Sequence, residues 1–185
     1  MNKLNIDQEQ IIENTIKIYQ DEKFISEFKF DFTNLKKIFF LIINDTSYIT
    51  NNIYRNVEIK NPKIDFCLTK NISSFIQAFD QFQINNISGM IEKYIEYNLL
   101  LPFKYLNGYV MRVWLDLMIL KKYNKLICWN KINQKQYFEY LYFQKKVLDF
   151  EFIIFKSVGV PSDLNLRKSL KASIEFYDFN FQSKN

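Results

Sequence analysis

The chain has 185 residues, 48% of them apolar and 24% charged, with a formal net charge of +5 and no histidine. That length supports one hydrophobic core, and the lysines that carry the charge are interrupted by acidic residues, so neither two full domains nor nucleic-acid binding is expected. Two cysteines, Cys67 and Cys128, exclude a disulfide scaffold or a zinc site, and no apolar run reaches the roughly 20 residues of a membrane span.

In chain order, Ile11, Ile12, Thr15, Ile16 and Tyr19 form one face of a first helix, with Asp7 its expected N-cap. Thr33 or Asn34 is placed to cap a second helix through Leu35, Ile38, Phe39 and Ile42. From Ile53 to Phe66 apolar residues alternate with Asn, Lys and Pro62, which predicts short strands or a hairpin. Asn71 then caps a helix with Ile72, Phe75, Ile76, Phe79 and Phe82, and Ser88 another with Ile91, Tyr94, Ile95 and Asn98. Pro102 stops that helix, and Val110, Val113, Trp114, Leu117 and Leu120 restart the helical period. Helices follow over Gln134 to Gln144 and Val147 to Val158, and after Gly159-Val160-Pro161 a terminal helix is expected over about 163–179. The reading is a mainly α protein, one domain over 1–185, with a small β element. The N-terminus lacks a signal-peptide core, so a cytoplasmic setting is the expectation.

The break between the helices reads Leu101-Pro102-Phe103-Lys104-Tyr105-Leu106-Asn107-Gly108-Tyr109-Val110-Met111-Arg112. It resembles the signature loop of the Fic family, whose members transfer the AMP of ATP onto a hydroxyl of a target protein. The family's pattern is His-Pro-Phe, any residue, Asp or Glu, Gly-Asn-Gly-Arg, two residues, Arg. Pro102, Phe103, Asn107, Gly108 and Arg112 match it. Leu101 stands at the catalytic His, Tyr105 at the acid, Leu106 at the first Gly and Tyr109 at the first Arg. Trp114, Trp129 and Tyr137 continue the likeness to small single-domain bacterial Fic proteins, which runs from about Phe30 to the C-terminus and is closest from Ile91 to Phe138.

The resemblance implies a Fic-type helical bundle with a short β-hairpin flap over about 58–68, the signature loop at 101–112 and a C-terminal helix over about 163–179. In the family the His is a general base, a step whose loss costs about 10² to 10⁴-fold, and Leu101 has no titratable group. The family's acid holds Mg²⁺, for which the phenol of Tyr105 is a poor donor, and Tyr109 lacks the charged fork of an Arg. The family uses Mg-ATP; here no catalytic residue, metal or cofactor is expected, and nucleotide binding is weak or absent. Asn107, Gly108 and Arg112 are the vestige of the nucleotide site. In self-inhibited members the second Arg meets a Glu from an inhibitory helix; the matching frame here, Ser173 to Asp178, puts Tyr177 at that Glu, so the inhibitory contact is expected to be lost, and Glu175 or Asp178 is the nearest anion in sequence for Arg112. The expected function is binding of a protein partner by an inactive Fic fold. The alternatives are a transferase of a nucleotidyl or other phosphate-containing group with altered chemistry, and a decayed remnant.

Overall fold

Every residue from Gly108 to Leu120 is buried, which sets one helix at the centre of the molecule. A helix apolar around its whole circumference can only sit inside, and the others are arranged about it. The structure, a computed structural model, describes residues 3–60, 64–82, 84, 86–144, 147–161 and 165–176. In chain order the elements are α1 (Lys3–Gln20), α2 (Glu22–Glu27), α3 (Phe32–Ile43), α4 (Ile72–Asp80), α5 (Ile87–Leu100) and the central α6 (Asn107–Tyr123). There follow β1 (Leu126–Ile127), α7 (Gln134–Phe138), a π-helical turn (Glu139–Gln144), α8 (Val147–Lys156), β2 (Val158–Gly159) and α9 (Leu166–Glu175).

The fold is mainly α, with α2, α3, α5 and α9 all packing on α6. The small antiparallel element of the expected fold is the pair β1–β2, in which Leu126 faces Gly159 and Ile127 faces Val158. It lies away from the expected flap. Of residues 58–68, described except for 61–63, Cys67 bonds Leu99 O in the last turn of α5 through its backbone N–H, and just before them Tyr54 forms an isolated antiparallel bridge with Phe103. No helix of the described residues is long and apolar enough to cross a membrane.

Three expected caps are displaced. Asp7 lies inside α1, and its carboxylate accepts from the backbone N and the hydroxyl of Ser47. The cap of α3 is Asp31, not Thr33 or Asn34; its carboxylate takes the backbone N–H of Asn34 at 2.8 Å. The cap of α5 is Asn86, which takes the N–H of Gly89 at 2.9 Å, so Ser88 lies in the first turn and instead donates to Glu151. In α3 and α5 the polar residue just upstream has the extended backbone that capping needs. Asn71 does precede α4 but makes no side-chain cap bond. The expected helix over 134–144 splits into α7 and the π turn. The terminal helix is capped by Asn165 and ends at Glu175; positions 163–164 and 177–179 of its expected span lie outside the described residues.

Candidate functional site

The loop between α5 and α6 is built from both ends inward. Leu101 ends α5 in the left-handed region, at φ 41° and ψ 61°, and is buried at 3% exposure. Phe103 is fully buried, its ring 4.5 Å from Phe39 and 5.9 Å from Phe32 of α3. The Asn107 side chain then closes the loop on itself: its Oδ1 accepts from Phe103 N at 2.8 Å, and its Nδ2 donates to Phe103 O at 2.7 Å. This amide satisfies both backbone groups of a residue that no strand fully pairs.

Leu106, the residue before α6, sits at φ 56° and ψ 21°. A Cβ makes that conformation costly, by about 1 kcal/mol or more, which is why glycine is usual there. Its side chain offsets part of that cost by packing, half-buried, against the core. Tyr105, in contrast, is on the surface, its ring 5.5 Å from Tyr48 and 5.3 Å from Lys104 Nζ.

Arg55, which the sequence reading passed over, holds the flank of the loop facing residues 53–68. Its Nε donates to Leu101 O at 2.8 Å, and its terminal nitrogens donate to the carbonyls of Leu100, Val57 and Cys67. Glu58 is 3.6 Å away. The guanidinium thus takes carbonyls that α5 leaves without intrahelical partners at its C-terminus. Backbone bonds Arg55 N to Pro102 O and Lys104 N to Ile53 O complete the join.

On the other side, the first turns of α6 point into the core. Tyr109 is 2% exposed and its hydroxyl lies 2.9 Å from that of Thr15 in α1, with its pKa raised by burial. Gly108 is buried one residue earlier. Arg112 is 1% exposed. Its Nε donates to Ser173 Oγ at 3.0 Å and an Nη to Ser173 O at 2.9 Å. The guanidinium carbon lies 5.3 Å from the Phe176 ring and 5.9 Å from that of Trp129. The residue of α9 that meets Arg112 in these bonds is therefore Ser173; Asp178 lies outside the described residues.

One turn further along α6 is Asp116, also 1% exposed and unmarked in the sequence reading. Tyr19 OH donates to its Oδ2 at 2.7 Å, Trp129 Nε1 to Oδ2 at 2.8 Å and Ile127 N to Oδ1 at 3.1 Å. Those bonds and the charge of Arg112 favour the carboxylate, but burial outweighs them and pushes the pKa up to about 7. The sequence signal was present: Asp116 is the single carboxylate in the buried run from Gly108 to Leu120. Ser169 extends the network, accepting from Trp129 N at 2.9 Å and donating to Ile127 O at 3.0 Å.

The expected positions thus separate into three sets. Leu101, Gly108, Tyr109 and Arg112 are inside the core, Leu106 and Asn107 are half-buried, and Tyr105 is at the surface. Among the described residues no group of three His, Cys, Asp or Glu side chains is arranged to hold a metal ion. No protein-family model matches the chain.

Proposed function

We propose that the chain is a degenerate Fic-family protein that has lost AMP transfer and works by binding a protein partner. The observation that carries this reading is the position of Arg112. The residue that would contact a phosphate is buried, bonded to Ser173 and covered by two aromatic rings. Leu106 supports the family assignment: it adopts a left-handed backbone where the family has glycine. A Leu is not selected for that conformation by its own preferences.

Mg-ATP does not fit the residues present. A phenol with an ammonium near its ring stands where the family has its metal-binding carboxylate, whereas Mg²⁺ takes anionic oxygens. Leu101 and Tyr109 supply neither base nor phosphate cation. At the surface of the loop stands Tyr105, 37% exposed, with the exposed Lys104 beside it, and Tyr54, bridged to Phe103, is 39% exposed. Exposed Tyr side chains are characteristic anchors of protein interfaces.

Calorimetric titration with Mg-ATP tests the reading, together with labelling of a cell lysate by an ATP analogue. The expected outcome is no binding heat and no labelling above background; micromolar affinity overturns it. The second reading, transfer of another phosphate-containing group, has one observation in its favour. Helix α6 starts without a side-chain cap bond, as a helix receiving an anion does. Transfer that survives Leu101→Ala and disappears in Arg112→Ala establishes that second reading instead.

A further inference from the structure

Away from the buried end of the loop, a cavity of about 300 Å³ opens between residues 65–68, α4 and the last turn of α5. Phe66, Phe75, Phe79 and Leu99 line it, and two acidic residues, Asp65 and Glu96, are among the rest of its lining. Among the described residues no Lys or Arg lines it, although the chain carries 25 basic against 20 acidic residues. The described lining is therefore acidic in a chain of net positive charge, around an aromatic interior.

We infer that this pocket binds a small organic ammonium ion whose aromatic or aliphatic body enters between the phenylalanine rings while its charge stays beside Asp65 and Glu96. Three physical arguments lead there. A cation is attracted both by ring faces and by carboxylates, so an ammonium gains from both kinds of wall. A neutral apolar guest would take water from the two carboxylates and return nothing, and an anion would be repelled by them. The size fits a one-ring guest, since about 300 Å³ is the lower end of small-molecule sites.

The walls are also held in place before any guest arrives. Cys67 N donates to Leu99 O at 3.1 Å, and Arg55 joins the carbonyls of Cys67 and Leu100, so the 65–68 segment is tied to α5. Phe79 packs edge-on against Tyr97, 5.6 Å away, and Phe75 lies 5.8 Å from Phe79. A pre-formed site avoids the ordering cost that weakens binding to mobile segments. The inference is independent of the proposed loss of AMP transfer, because it uses none of the loop residues 101–112.

Ligand-observed NMR titration with three probes that share a phenyl ring tests it: phenethylamine, the neutral phenylethanol and the anionic phenylpropionate. Phenethylamine is expected to bind at least about tenfold more tightly than phenylethanol, and phenylpropionate not at all. In the combined variant Asp65→Asn with Glu96→Gln the amine and the alcohol should bind alike, while Phe75→Ala should weaken both. All three altered side chains are exposed, so these variants leave the core intact. Equal affinity for the three probes, no binding of any, or an amine preference that survives the double amide variant overturns the inference.

Discussion

On the flank facing residues 53–68 the loop is held by Arg55, whose donors go to backbone carbonyls of Val57, Cys67, Leu100 and Leu101. On the flank facing α9 it is held by Arg112, which meets Ser173 and two aromatic faces. Both guanidiniums are buried, yet their removal should have different consequences. The carbonyls that Arg55 serves include those of an α-helix end, which would be left inside the protein without a donor. The Ser173 carbonyl, in contrast, already accepts from Phe176 N at 3.2 Å. Arg55 serves four backbone carbonyls, whereas of the two described acceptors of Arg112 one is a hydroxyl and the other a carbonyl with a second donor.

The largest effect is therefore expected from Arg55→Met, about 3–5 kcal/mol of lost stability in urea unfolding, because several buried acceptors lose their donor together. Arg112→Met should cost less, about 2 kcal/mol, since Met keeps much of the packing against Trp129 and Phe176. If the two losses prove equal, the distinction between backbone clamp and side-chain latch fails.

The Arg112 flank should also respond to pH. Asp116 has a folded-state pKa of about 7 against 3.8 for the free group. A folded-state value raised in this way means that the native protein binds the proton more tightly than the unfolded chain does. The stabilising contribution is complete below about pH 4 and is lost as pH rises through about 7. Asp116→Asn should remove that slope from the stability curve and cost about 1–2 kcal/mol, because an amide cannot accept from all three donors. A variant with the wild-type slope between pH 4 and 7 would show that another group titrates there.

The smallest effect should come from Leu106→Gly. Relief of the left-handed strain and loss of the half-buried side chain oppose one another, leaving a net change within about 1 kcal/mol. A loss well above that in the same unfolding assay would mean that Leu106 is chiefly a packing residue.

Periodicity made the helical part of the fold legible. Val110, Val113, Trp114, Leu117 and Leu120 place a helix where α6 lies, because burial of an apolar stripe depends on spacing alone. The caps were harder to read: Asp31 and Asn86 compete with Thr33, Asn34 and Ser88, and only backbone geometry decides between neighbouring polar residues. At the site, that Leu101, Tyr105 and Tyr109 carry no imidazole, carboxylate or guanidinium is visible in residue types. The bond of Arg112 to Ser173 is not, because residue types point a buried Arg to a carboxylate such as Glu175 or Asp178 and not to a hydroxyl; Glu175 is exposed, and Asp178 lies outside the described residues. Arg55 was invisible for a further reason: its partners are carbonyls, which every residue has.

The short ladder β1–β2, reinforced by Cys128 N to Ser157 O at 2.8 Å, closes everything between Cys128 and Ser157 into one loop. In terms of native-state hydrogen exchange, that ladder is a gate for the chain between. When it opens, α7, the π turn and α8 lose their tie to β1 and are held by their packing on α5 and Phe176, whereas α3 and α6 stay packed against one another. Amides of α7 and α8 should then share one opening free energy, lower than that of α6, and form a separate cooperative unit within a single domain.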